Sequence, residues 1–171
     1  NTETYFGISI RLSETFTQPY GWSLLHQWYT QHFTYLTGSP PLSFVTKEGK
    51  FKLNVITGLS QPGGPWEYNG GVALSTGLNV GKWNDFIIRI KWQKDWTGAI
   101  EAWHRIEGQS QFTKTLSTLS VPTLRWNPNS DSKSGYVGGT ADPTHLKRGL
   151  YRKTKCTTVG SNLIFPVQCP A

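Results

Sequence analysis

Asp85-Phe86-Ile87-Ile88-Arg89-Ile90-Lys91-Trp92 and Ala99-Ile100-Glu101-Ala102-Trp103-His104-Arg105-Ile106, with Asp95-Trp96-Thr97-Gly98 between them, decide the fold class. In an extended chain successive side chains point to opposite faces. Phe86, Ile88, Ile90 and Trp92 therefore form one apolar face, the mark of a half-buried strand. Asp95 to Gly98 has turn chemistry, so the two stretches read as a hairpin, with Trp103 on the face shared by Glu101 and Arg105.

The same alternation recurs on both sides of this hairpin. Residues 5–13 place Phe6, Ile8, Ile10 and Leu12 on one face and Gly7, Ser9, Arg11 and Ser13 on the other. After a turn at Gln18-Pro19-Tyr20-Gly21, Trp22 to Gln31 reads as a second strand. Its parity puts Leu25, Gln27, Tyr29 and Gln31 on one face and Leu24, His26 and Trp28 on the other. Pro40-Pro41 interrupts the chain, and Leu42–Val45 and Phe51–Ile56 then bracket a hairpin turn at Lys47-Glu48-Gly49-Lys50. Residues 58–71 read as loop, from Gln61-Pro62-Gly63-Gly64-Pro65 and Asn69-Gly70-Gly71.

From Glu107 to Thr144 the chain is rich in Ser, Thr, Gly, Pro and Asn, and it reads as a long loop, either a lid or a surface excursion. A strand from His145, a polar turn around Gly160-Ser161-Asn162 and an apolar run from Leu163 to Val167 follow. No stretch has helical amphipathicity, and there is no internal repeat. The expectation is all-β, one domain over residues 1–171, folded as a sandwich of two sheets.

Composition agrees. Among the 171 residues are eight Trp, seven Tyr and eight Phe, and the 18 glycines and 10 prolines supply many turns. No apolar run reaches the length of a membrane span. The absence of Met and of a leader-like N-terminus reads as a processed product. Cys156 and Cys169 close a small loop and form either a disulfide or a pair of buried thiols; the disulfide fits a secreted, extracellular protein better. Seventeen basic against ten acidic residues give a formal charge of +7, which draws polyanions. Without a Lys/Arg-rich tract, zinc spacing or RNA-binding signature, an acidic polysaccharide ranks above nucleic acid as the partner.

The densest chemistry lies in His145-Leu146-Lys147-Arg148-Gly149-Leu150-Tyr151-Arg152. Read as a strand, it sets His145, Lys147, Gly149 and Tyr151 on one face. That row holds a possible base, a cation and a phenol, with a glycine leaving space beside them. An ordinary exposed pair on an edge strand is the plain alternative for Lys147 and Tyr151, as a solvated strand residue is for Gln27 and a surface histidine for His145.

Five stretches in order resemble the jelly-roll polysaccharide lyases, nearest the heparin lyase I-like and glucuronan lyase groups, with alginate lyases more distant. They are Leu25-His26-Gln27-Trp28-Tyr29 with Pro40-Pro41-Leu42, Gly81-Lys82-Trp83-Asn84-Asp85-Phe86, Gly98-Ala99-Ile100-Glu101-Ala102-Trp103, and Lys147-Arg148-Gly149-Leu150-Tyr151-Arg152. The likeness runs from about Tyr5 to Phe165. It implies a concanavalin-like β-sandwich jelly roll of two antiparallel sheets, with a concave groove that cleaves a uronate glycan by β-elimination.

In that family a Gln neutralises the substrate carboxylate, and a Lys-x-x-x-Tyr strand supplies a cation and the catalytic phenol. Gln27, Lys147 and Tyr151 match these positions. The family's His two residues after the Gln is Tyr29 here, and His145, on the face of Lys147 and Tyr151, is the candidate replacement. Tyr29, Arg11, Trp103 and Arg105 are the candidate substrate-binding residues. The family's first strands, often with a groove-lining Arg, have no counterpart in these residues, which leaves an open sheet edge for self-association by strand donation. No compact Asp/Asn/Glu cluster marks a calcium loop, so no cofactor is expected. The alternative from another class is a non-catalytic carbohydrate-binding or structural protein that kept the fold and lost the chemistry.

Overall fold

A computed structural model describes residues 2–18, 21–30, 40–59, 68–126 and 144–152. These form ten strands: β1 Thr2–Arg11, β2 Trp22–Thr30, β3 Leu42–Lys47, β4 Lys50–Leu59, β5 Tyr68–Ala73, β6 Trp83–Trp92, β7 Ala99–Ile106, β8 Thr113–Ser120, β9 Arg125–Trp126 and β10 Thr144–Arg152. No helix occurs among the described residues.

The strands make two sheets. One has the order β1-β6-β7-β8, the other β10-β2-β3-β4-β5, with the short β9 pairing in parallel with the end of β4. All other pairings are antiparallel, as a chain joined largely by hairpins requires. The β3–β4 hairpin turns through Glu48 and Gly49, both at positive φ (55° and 70°). A two-residue loop needs that conformation at both positions to follow the strand twist.

The apolar faces read from the sequence meet between the sheets. Ile8, Phe86, Ile88, Ile90, Ile100 and Ala102 from the four-stranded sheet pack with Trp28, Leu42, Phe44, Phe51, Leu53 and Val55 from the other. Phe86 lies edge-on to both Phe44 (ring centroids 5.0 Å) and Phe51 (5.1 Å), and Phe6 lies edge-on to Trp28 (5.1 Å). Aromatic packing of this kind stabilises by ~0.5–1.5 kcal/mol per pair beyond area burial.

Two sequence expectations are corrected. Both ends of the 58–71 stretch taken as loop are strand, since β4 continues to Leu59 and β5 starts at Tyr68; Gly70 and Gly71 sit inside a ladder opposite Val55 and Asn54. Within the stretch from Glu107 to Thr144 lies β8. Its leucines are three residues apart rather than two, so simple alternation fails. Register shifts against β7 nevertheless bring Leu119 opposite Ile100 and Leu116 opposite Ala102, and both leucines pack on the core. The proposed Gln61–Pro65 loop, the Leu163–Val167 run, and Cys156 with Cys169 lie outside the described residues.

Candidate active site

β2 and β10 are neighbours, and this brings the two halves of the expected site together. Across their antiparallel ladder Lys147 is the direct partner of Gln27, and His145 of Tyr29. Directly opposed positions in such a ladder lie on the same face of the sheet. On the other side of β2, Gln27 pairs with Ser43, which pairs with Asn54, which pairs with Gly71. A single row, Lys147–Gln27–Ser43–Asn54–Gly71, therefore crosses five strands on the face turned away from the core.

The position of Tyr151 depends on two bulges. β2 carries an extra residue against β3 between Leu24 and His26, and β10 carries one against β2 between Arg148 and Tyr151. The row next to Gln27 is thus Tyr151–Leu24–Val45–Lys52–Ala73. The same two rows are two residues apart on β3 (Ser43, Val45), three on β2 (Gln27, Leu24) and four on β10 (Lys147, Tyr151). The Lys-x-x-x-Tyr spacing of β10 is what adjacent rows require at the outer end of this fan. Bulges bend a strand and re-aim its side chains, and they recur beside active sites.

The bulge also corrects the parity expected for β2. Leu24 was placed with His26 and Trp28, but it pairs with Val45, on the side of Gln27 and Ser43. His26 and Trp28 keep their place, paired with the core residues Phe44 and Leu42.

Ser43 and Asn54 share the row of Gln27, and the sequence reading passed them over. Their signal was present, since Phe51, Leu53 and Val55 alternate with Lys52 and Asn54, and the polar set had to face away from the core. At Gly71 an added Cβ would lie 3.0 Å from Asn54 Oδ1, so the Asn54 amide fills the space that a side chain there would take. Lys52 is paired with Glu48, whose carboxyl is held below the usual range chiefly by that hydrogen bond.

Arg11, Trp103 and Arg105 do not join this row. They lie on the outward face of the four-stranded sheet, so the whole core separates them from Gln27. Arg11 donates from Nε to the Gly81 carbonyl (2.9 Å), and Arg105 is bound through Nε and Nη2 to Asp85 Oδ2 (3.1 and 2.7 Å). Lys114 Nζ lies 5.1 Å from the Trp103 ring centroid. Alternation alone cannot say which of two outward faces a residue occupies; strand order decides it. On this face Glu101 accepts from Lys114 (2.6 Å), Arg89 (2.5 Å) and Thr118 (3.1 Å), and these hold its carboxyl down to about 2. Among the described residues no group of three or more His, Cys, Asp or Glu is arranged to hold a metal.

Residues 1–165 match the family model described as polysaccharide lyase. The chain belongs to the polysaccharide lyase family. Among solved structures this lyase-family chain is similar to an endo-β-1,4-glucuronan lyase from the fungus Trichoderma reesei, at 16% identity and a TM-score of 0.52. The match covers 86% of this chain and 68% of that one, and it supports the jelly-roll fold. An alginate lyase of polysaccharide lyase family 7 is also similar, at 14% identity and a TM-score of 0.41, covering 91% of this chain and 53% of the other. No curated protein sequence matches.

Proposed function

We propose that this chain is a secreted polysaccharide lyase that cleaves an acidic, uronate-containing glycan by β-elimination across the β2–β10 rows. The observation that carries the proposal is the direct pairing of Lys147 with Gln27 in a chain of the lyase family.

The chemistry begins from the substrate. The proton on C5 of a uronate is very weakly acidic because its neighbour is a carboxylate, whose charge opposes a second negative charge. The Gln27 amide N–H groups and the Lys147 ammonium are the donors that offset this charge and stabilise the enolate-like transition state. The base removes the C5 proton, the C4–O bond breaks as the C4–C5 double bond forms, and the leaving oxygen takes up a proton. Tyr151, one row away, serves as base in its phenolate form and returns that same proton to the leaving oxygen. His145, the ladder partner of Tyr29 on the other side of Lys147, takes the place of the family's histidine. Tyr29 offers a ring for a sugar face.

The test is incubation with glucuronan, heparan sulfate, alginate and hyaluronan, followed by the absorbance of the unsaturated uronate product. A rise on one polymer supports the lyase. Binding to these polymers with no rise on any would assign the chain to the non-catalytic reading instead.

A further inference from the structure

On the side of the sandwich opposite Gln27, the four-stranded sheet carries a depression of ≈ 570 Å³ lined by Ser9, Trp83, Asp85, Arg105, Glu107 and Gln109. Its volume falls within the range of small-ligand sites. Trp83 stands beside it with its residue surface 46% exposed, although Trp is among the side chains that gain most from burial. The Trp83 backbone is held at both ends by one residue, donating N–H to Glu107 Oε2 (3.0 Å) and accepting from Glu107 N–H at its carbonyl (2.8 Å). The exposed indole is thus mounted on a fixed backbone.

The polar groups around the indole are also fixed. Ser9 Oγ donates to Asp85 Oδ1 (2.7 Å), Arg105 clamps Asp85 Oδ2, and the Arg105 guanidinium lies 4.7 Å from the Phe112 ring centroid. Gln109 Oε1 accepts the Ile106 N–H (2.9 Å), which leaves its amide N–H groups to donate. Arg11, paired with Trp83 across β1 and β6, is anchored on Gly81. Two carboxylates, Asp85 and Glu107, are balanced by two guanidiniums, Arg11 and Arg105.

We propose that this depression is a second glycan-binding site, which takes a pyranose ring with its apolar face on Trp83 and its hydroxyls on Glu107, Arg105 and Gln109. The occupant is recognised through hydroxyls rather than a carboxylate, because the local charge sums to zero and Asp85 already occupies Arg105. It therefore differs from the β2–β10 rows, where Lys147 and Gln27 are matched to an anion. Nothing in the site depends on the lyase chemistry, so it stands whether or not the chain cleaves its substrate.

The test is titration calorimetry of the full chain with cellohexaose, a neutral oligosaccharide, at low and high salt. Binding is expected to change little with salt, since no ion pair forms with the ligand. Trp83→Ala should weaken it about tenfold or more, as loss of a central aromatic anchor does. Trp83→Phe should keep part of the affinity and Glu107→Gln should lose part of it, while Gln27→Ala should leave it unchanged. Equal affinity in Trp83→Ala and wild type, loss of binding in Gln27→Ala, or no binding of cellohexaose at millimolar concentration would each overturn the proposal.

Discussion

Lys147 on β10 and Gln27 on β2 are direct partners across one antiparallel ladder, 120 residues apart in sequence. Neither residue alone says more than strand; together they put position 147 opposite Gln27, in the row turned away from the core. Gln27→Ala is expected to lower kcat by about 10²–10³, the usual cost of removing one donor aimed at developing negative charge. Lys147→Ala should act similarly. The double variant should lose less than the product of the two, because both donors act on one carboxylate. Steady-state kinetics of the four proteins measures the coupling, and full multiplicativity would show that the residues act apart.

The bulge in β10 gives a second prediction. Lys147 and Tyr151 are four residues apart where the matching positions on β3 are two apart. Deleting Gly149 makes this interval three, equal to that from Gln27 to Leu24, so Tyr151 keeps Leu24 as its ladder partner while the bulge that bends the strand before it is lost. The deletion should abolish cleavage while far-UV circular dichroism keeps its β signature, because β10 is at the sheet edge and the core stays intact. Retained activity would show that the bulge itself is not needed for the chemistry.

Acid should expose the role of Glu101. Its carboxyl is held at about 2 by Lys114 and then Arg89, below its ordinary 4.5. The unfolded chain takes up that proton first as pH falls, so the contribution of Glu101 is complete above about 4.5 and is lost toward 2. Glu101→Gln should flatten that part of the stability profile. It should also cost about 1–3 kcal/mol at neutral pH, because one of the two charged acceptor oxygens becomes an NH2 group that faces Lys114 or Arg89. Urea denaturation across the acid range reads both effects.

His104 works in a higher window. It is buried, its ring stacks on Phe86 (centroids 4.4 Å), and Nε2 meets Asn84 Oδ1 at 3.1 Å. Asn84 Nδ2 faces the Leu78, Asn79 and Lys82 carbonyls, so its oxygen faces His104 and Nε2 must carry the proton. Burial pushes the imidazole below its usual value, partly offset by Asp85. The unfolded chain protonates first, so stability is full above about 6.5 and declines as pH falls toward the native value. An NMR titration should place His104 below 6.5, and His104→Phe should remove this slope.

How far the sequence reached follows from which physical rule governed each residue. Strict period-two alternation made β1, β6 and β7 legible, along with their inward faces at Ile8, Phe86 and Ile100. Where a bulge broke the period, alternation misled: Leu24 was assigned to the wrong face, and β8 was lost because Leu116 and Leu119 are three apart. Gln27 and Lys147 could be named from a resemblance, but their adjacency depends on strand order, which is a long-range property of the chain. The same property sent Arg11, Trp103 and Arg105 to the opposite face of the sandwich. Ser43 and Asn54 needed that order too, since each reads locally as a solvated strand residue.

The central claim is that the paired β2–β10 rows carry out elimination on a uronate glycan. The most direct measurement is the rate of unsaturated-uronate absorbance on glucuronan for the wild type and for Tyr151→Phe, with polymer binding followed in parallel. The account predicts a steady rise for the wild type and, for Tyr151→Phe, a loss of about 10²-fold or more with binding retained. A wild type that binds the polymer without any rise, or a Tyr151→Phe variant that cleaves at the wild-type rate, would contradict it.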